Sequence, residues 1–439
     1  SSDTRAIVEG GLFFAWRGAN FDGHRYLAEA AEKGAVAAVV EEHVVESDLP
    51  QIVVKDSQKA LGLLAKAWRE AWHGTLIALT GSNGKTTLKE MIATLLTEVA
   101  PTLATVGNYN NHVGCPLTLL HLGNQHQYGV IEMGANHFGE IEYLTTLAAP
   151  DIAIINNAGA CHLEGFGSIA GVAKAKGEIF TGLAADGVAI INRDDEHYDY
   201  WATQLEATKQ RYYSFGYHQE ADLRVVAEER AGSYTFIDQS IAPEESTLQL
   251  NLLGAHNGLN AAAATLVGRV LGVDFGRIKR ALEGLKPVAG RLEQILLTKE
   301  ITLINDGYNA NPNSLKAGIE ALPSGAEHWV VLGEMRELGP EGRAIHQECG
   351  LFAAKAGVSK LFGLGALAAA AVTAFNGAKE GSATDKGYYP NHEALLQALQ
   401  EAITTHQAAK RGPLSILIKG SNSMNMGYFI DQLTGESLT

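Results

Sequence analysis

Residues 75–87 read TLIALTGSNGKTT, an apolar, strand-like run that breaks into glycine, lysine and two threonines. A phosphate-binding loop requires that succession. A buried strand delivers the chain to a turn in which Gly81 and Gly84 let the backbone curl. The N–H groups around Ser82 and Asn83 then converge on phosphate oxygens. Lys85 supplies positive charge to the outer phosphates and Thr86 a hydroxyl for Mg²⁺, with Thr87 at the head of the following helix. The bland alternative is an ordinary strand-to-helix turn. The spacing is also not the common G-x-x-x-x-G-K-[ST], because the residue five before Gly84 is Leu79. The loop is the shorter G-x-x-G-K-T.

Outward from this loop the pattern is α/β throughout. The helix after it places Leu88, Met91, Ile92, Leu95, Leu96 and Val99 on one face, the spacing of a helix packed on a core. GVIEM (129–133), DIAIIN (151–156) and GVAIIN (187–192) read as further strands separated by helices. Such alternation favours a mostly parallel sheet covered on both faces, with ligands at the carboxyl ends of its strands. Within 213–253, YSFGY, LRVVAE, YTFIDQ and LQLNLL alternate more like antiparallel strands. An alanine-rich helix is expected over 257–271. Past Pro287 and Gly290 the pattern restarts with ITLIND, HWVVLG, KLFGLG and LSILIKG, spaced by helices in a Rossmann-like manner. Before the loop, GLFFAW and AVAAVV alternate with polar turns. Three domains are therefore expected: a small α/β domain at 1–74, a central P-loop domain with an added antiparallel part at 75–289, and a Rossmann-like domain at 290–439. Ser1 begins inside a pattern, so the start of the first is expected to be missing.

A chain of 439 residues is too long for one ordinary core. Apolar residues at 46% and charged ones at 19% suit a globular enzyme. A formal net charge of −15 argues against a nucleic-acid surface, so an anionic nucleotide needs positive charge gathered locally. Cys115, Cys161 and Cys349 are odd in number and widely spaced, which points to a reducing cytoplasm. No apolar stretch is long enough for a membrane span, and no signal peptide opens the sequence.

Several residues outside the loop invite chemistry. Glu132 ends an apolar strand in VIEMGAN, where a carboxylate is costly unless paired or bound to a metal. Near the loop it can complete a Mg²⁺ shell with Thr86 and phosphate oxygens; otherwise it is a strand-end carboxylate facing solvent. His162 follows a strand, and its spacing alone fits a structural histidine as well as a ligand. Lys174 and Lys176 lie on the next helix, where a lysine is normally just solvated. Asn257 can cap the alanine-rich helix, and Asp306 can end a strand in a turn. Taken singly, Asn257, Asn260, Arg291 and Asp306 carry little signal.

Their joint order resembles the Mur ligases, ATP-dependent peptide ligases of bacterial cell-wall synthesis. TGSNGKTT is similar to that family's ATP loop, with the same short spacing. GAHNGLNAAAA (254–264), GRLE (290–293) and NDGYNANPNS (305–314) match further motifs in the family's order. NYNNHVGCPLTLL, HLEGFGS and VLGEMRELG look most like the member that adds D-alanyl-D-alanine to UDP-N-acetylmuramoyl-tripeptide. The segment DTRAIVEGGLFFAWRGANFDGHRYL resembles a UDP-binding domain. No D-N-P-R motif, expected of the diamino-acid-adding member, occurs. The resemblance implies roles. Lys85 and Thr86 serve ATP and a first Mg²⁺, with Glu132. His162 holds a second Mg²⁺, and Lys176 aligns with a lysine the family carbamylates, with Lys174 its near neighbour. Asn257 and Asn260 lie by the adenine, and Arg291 and Asp306 near ribose and phosphates. One departure is Glu334, where the family usually has aspartate after V-L-G.

The reaction so implied runs through an acyl phosphate on the tripeptide carboxylate, with D-alanyl-D-alanine as the attacking amine. Closure of the C-terminal domain over the central one would exclude water. A monomer is expected. The rivals are another amide ligase with this core, such as one like folylpolyglutamate synthase, and a nucleotide switch that ligates nothing.

Overall fold

The strand that leads into the quoted loop, Thr75–Thr80, lies between Tyr128–Glu132 and Ile152–Ile155, parallel to both. Leu76, Ile77, Ala78 and Leu79 are fully buried, because helices cover both faces of this sheet and every position needs an apolar side chain. Ile77 and Leu79 join a core with the helices Lys85–Thr97 and His256–Val270, whereas Leu76 and Ala78 join one with Glu140–Ala148 and Ile169–Gly177. Leu88, Met91, Ile92, Leu95 and Leu96 all enter the first core; the helix ends at Thr97, and Val99 packs on it from the turn beyond. The run Ala261–Ala264 is fully buried. Its small side chains let the two helices approach closely: a Cβ on Gly268 would stand 3.0 Å from Leu95.

The computed structural model describes residues 1–18, 21–228, 232–241, 243–379 and 387–435. The expected end of the third domain, 436–439, lies outside the described residues. Among those described, the central sheet has nine strands. Across it they run Glu244–Gln249, Ser233–Asp238, Leu223–Ala227, Arg211–Gly216, Val188–Asn192, Ile152–Ile155, Thr75–Thr80, Tyr128–Glu132 and Thr102–Ala104. The antiparallel part is narrower than the alternation of 213–253 predicts. Arg211–Gly216 pairs parallel with Val188–Asn192 and, at Phe215 and Gly216, parallel with Leu223–Ala227. The helix Tyr198–Ala207 is the reason: a helical crossover returns the chain in the same direction. Only the pairings among Leu223–Ala227, Ser233–Asp238 and Glu244–Gln249 are antiparallel. The last strand stops at Gln249, after which Leu250 and Leu252 turn into the core.

The N-terminal segment carries a parallel sheet of Leu12–Phe14, Ala37–Val40 and Gln51–Val53. Its helix Ser57–Ala71 reaches into the central segment, where Ala65 joins the core and Trp68 Nε1 donates to the Leu122 carbonyl at 2.6 Å. The C-terminal sheet runs Glu293–Leu296, Ile301–Asp306, Leu414–Lys419, Glu327–Gly333, Lys360–Leu364 and Tyr388–Tyr389. Its first pairing is antiparallel and the others parallel, with apolar cores on both faces. Among the described residues no helix is long and apolar enough to cross a membrane.

Candidate functional site

After Thr75–Thr80 the chain passes to the sheet edge at Thr102–Ala104, returns to Tyr128–Glu132, and then crosses to the other side at Ile152–Ile155. That change of side opens a crevice at the carboxyl ends of the strands, and the phosphate loop sits in it. Gly84 takes φ +77°, and a Cβ there would stand 2.7 Å from Asn156 Nδ2 and 2.8 Å from Asn260 Oδ1. Neighbouring strand ends hold the loop. Asn83 N donates to Asn157 Oδ1 at 2.8 Å, and the Asn83 carbonyl accepts from Asn156 Nδ2 and Asn157 Nδ2, both at 3.0 Å. Ser82 Oγ accepts from Gly159 N at 2.9 Å. Gly81 packs against Asn156, and its carbonyl accepts from Lys85 Nζ at 2.8 Å. Thr87 lies in the first turn of the helix, buried.

Around the loop lies a cleft of about 610 Å³. Glu132, paired in register with Leu79, opens onto it at the same height as the loop. It is 2% exposed. Its Oε1 accepts from Asn110 Nδ2 at 2.8 Å, while Oε2 is buried without a partner. The solvent-facing alternative is thereby excluded. His162 lines the cleft with a left-handed backbone, φ +48°. Its Nδ1 stands 2.5 Å from Glu337 Oε2 of the C-terminal segment, outside hydrogen-bonding angles. Burial, together with the charges of Lys85 and Lys176, lowers its pKa against the opposing pull of Glu337.

The two lysines of the next helix separate cleanly. Lys174 is exposed, with its Nζ 5.8 Å from the Phe138 ring centroid. Lys176 is 1% exposed and lines the cleft. Burial first, and then Lys85, push its pKa down to about 8. Positive charge is thus concentrated here in a chain whose net charge is −15.

Asn257 does not cap its helix. It lies inside it and donates from Nδ2 to the Leu253 carbonyl at 2.8 Å. Its Oδ1 accepts from Asn260 Nδ2 at 2.9 Å, and Asn260 Oδ1 accepts from Asn156 Nδ2 at 2.8 Å, a buried amide chain running back to the phosphate loop. From the C-terminal segment, Arg291 Nη2 donates to Thr86 Oγ1 at 3.2 Å, with its guanidinium 4.1 Å from the Tyr308 ring centroid. Arg291 Nε is buried and unpartnered. Asp306 ends its strand, buried, and its carboxylate accepts from Lys419 Nζ and from Leu292 N, the latter at 3.3 Å. Glu334 is turned elsewhere. Its Oε1 accepts from Leu367 N at 3.1 Å, capping the helix Ala366–Gly377.

Of the fourteen residues assigned phosphate, nucleotide or metal roles from the sequence, thirteen line this one cleft, and the other, Gly81, is bonded into its wall. Sequence reasoning passed over Asn156, Asn311 and Lys419. Asn156 and Lys419 end apolar strands as Glu132 does, so the same positional argument applied to DIAIIN and LSILIKG finds them. Asn311 caps the helix Pro312–Glu320 and also donates from Nδ2 to Asn83 Oδ1 at 2.6 Å. Its place in the motif NDGYNANPNS was visible in the sequence, but its partner 228 residues away was not. Among the described residues no cluster of three or more His, Cys, Asp or Glu side chains forms a metal cage. Mg²⁺ does not need one, since it takes one or two carboxylates with phosphate oxygens and water. The unpartnered Glu132 Oε2 suits that coordination.

Three family profiles match: the Mur ligase family catalytic domain at residues 1–69, the Mur ligase middle domain at 79–268, and the Mur ligase glutamate ligase domain at 290–422. The UDP-N-acetylmuramoyl-tripeptide--D-alanyl-D-alanine ligase of Escherichia coli K12 is 38% identical, over 97% of this chain and 91% of its own. The crystal structure of MurF from Acinetobacter baumannii superposes with a TM-score of 0.89 at 34% identity, over 99% of this chain and 93% of that one. MurF ligase from Thermotoga maritima, solved in complex with ADP, gives a TM-score of 0.82 at 27% identity, over 99% and 97%. The chain belongs to the Mur ligase family.

Proposed function

We propose that this chain joins D-alanyl-D-alanine to UDP-N-acetylmuramoyl-tripeptide at the expense of ATP, giving the UDP-linked pentapeptide of peptidoglycan synthesis. The observation that carries the reading is the junction itself. Arg291 and Asn311 of the C-terminal segment bridge to Thr86 and Asn83 of the phosphate loop, in a chain aligned nearly end to end with a ligase of that name. In the first stage an oxygen of the tripeptide's terminal carboxylate bonds to the γ-phosphorus, and ADP leaves. In the second the dipeptide amine attacks the acyl carbon, phosphate leaves, and the nitrogen loses a proton.

Each residue then has a task. The curled loop at Gly81–Gly84 presents N–H groups to the phosphates, and Lys85 offsets the repulsion between two anions that must meet. Asn257 and Asn260 border the adenine side, while Arg291 and Asp306 approach ribose and phosphates. Thr86 and Glu132 fit one Mg²⁺, and His162 with a carbamylated Lys176 fits a second; when bound, these ions offset carboxylate and phosphate charge. Carbamylation needs a neutral amine to form the N–C bond with CO₂ and release a proton, and the burial that lowers the Lys176 pKa to about 8 gives it a larger neutral fraction than an ordinary lysine has. The working domain boundaries remain 1–74, 75–289 and 290–439.

Phosphate release by the purified protein with ATP and Mg²⁺ tests the reading, the two acceptors being added singly and together. Release that requires both, with a UDP-pentapeptide product, is expected. Release indifferent to both would replace the ligase with a nucleotide switch.

A further inference from the structure

Lys419 ends the apolar strand Leu414–Lys419, between Ile301–Asp306 and Glu327–Gly333. An ammonium 2% exposed at that place is expensive to desolvate. It stands in register beside Asp306. Its Nζ donates to Asp306 Oδ2 and to the Asn309 carbonyl, the latter at 3.1 Å. Those two bonds pin the loop 306–311 to the end of a central strand. Through Asp306 they also reach Leu292 N, next to Arg291. The contacts described above between the C-terminal segment and the phosphate loop come from the two stretches braced in this way: Arg291 to Thr86, stacked on Tyr308, and Asn311 to Asn83.

We propose that Lys419 is a positioning residue for the nucleotide. It holds the segments 291–292 and 306–311 in the mutual placement that lets Arg291 and Asn311 meet the phosphate loop. Stability alone does not call for it, since a buried ion pair is often no better than apolar residues of similar size. Geometry does. A single side chain bonds both the carboxylate that orients residue 292 and the carbonyl that sets the turn after Tyr308.

The inference rests on the ligase reading, and the experiment keeps the two apart. If the wild-type chain fails to turn over ATP with both acceptors, the ligase reading itself fails. Given turnover, the KM for ATP and kcat are measured for Lys419→Met, Arg291→Ala and the double variant, each checked by thermal melting. Each single change is expected to raise the ATP KM about tenfold, and the double to stay well short of the product of the two, because Arg291 is one of the two contacts that Lys419 braces. Effects that multiply to about a hundredfold would overturn the proposal. So would a Lys419→Met protein with unchanged KM and only a smaller active fraction. Should Lys419→Met fail to fold, Lys419→Gln carries the same cycle, keeping an N–H donor for Asn309 without the charge.

Discussion

Glu132 and Lys419 are charged residues at the ends of buried strands, and each escapes its desolvation cost differently. Lys419 has two partners, the Asp306 carboxylate and the Asn309 carbonyl. Glu132 keeps one oxygen bonded to Asn110 and one without a partner. An unpartnered carboxylate oxygen marks a place where a ligand belongs, whereas a satisfied ammonium marks a brace. Sequence position alone is the same for both. His346 offers a test at this scale. It is fully buried on the helix Gly342–Lys355, with Nδ1 2.6 Å from the Gly342 carbonyl, and its Nε2 accepts from Met335 N at 3.0 Å. Only the neutral ring with its proton on Nδ1 satisfies both. Burial lowers its pKa. The unfolded chain therefore takes up a proton near the ordinary histidine value while the folded one resists, so this contribution is complete above about pH 6.5 and is lost as pH falls below it. Against wild type, His346→Gln is expected to cost about 1–2 kcal/mol at neutral pH, with the gap narrowing in acid. Urea melts across that range check it; a gap independent of pH would refute the assignment.

At the scale of elements, the strand–loop–helix unit at 75–97 was legible because its signals agree: a continuous apolar run, glycines at the turn, then period-3.6 burial. Gly84 shows how tightly the loop is built. Alanine there must keep a left-handed backbone and press its Cβ against Asn156 and Asn260. Gly84→Ala is expected to weaken ADP binding by about tenfold or more while leaving the sheet intact, a strain of about 1–3 kcal/mol confined to the loop. Calorimetric titration with ADP beside a melting curve separates the two effects. The strand Arg211–Gly216 was misjudged for a related reason. Alternation in the sequence does not say which way a strand runs, and the burial of Arg211–Gly216 rises toward its carboxyl end instead of alternating. Direction was decided by the helix before it.

At the scale of the whole molecule, the candidate site is shared between segments far apart in sequence. Thr86 and Arg291 are 205 residues apart, and Asn83 and Asn311 are 228 apart. Those two contacts, with Glu337 facing His162 and Leu253 packed on the C-terminal core, join the C-terminal segment to the cleft. Closure driven by ligands predicts that ATP analogue and UDP-substrate together reduce the radius of gyration in small-angle scattering. Arg291→Ala combined with Asn311→Ala is expected to abolish most of that compaction. Identical scattering with and without ligands in the wild type would count against a moving C-terminal domain.

What the sequence determined by itself is local. The apolar periodicities, the G-x-x-G-K-T turn and the order of motifs were enough for the α/β class, the phosphate loop and the family resemblance, because each depends on residues within a few turns of one another. The tertiary structure decided the rest. It buried Lys176 in the cleft and left Lys174 exposed, since only packing tells which side of a helix meets the cleft. It left Glu132 Oε2 without a partner, and it joined Lys419 to Asp306 by laying two strands 113 residues apart side by side. Burial and pairing depend on what lies opposite, and that is set only when distant strands meet.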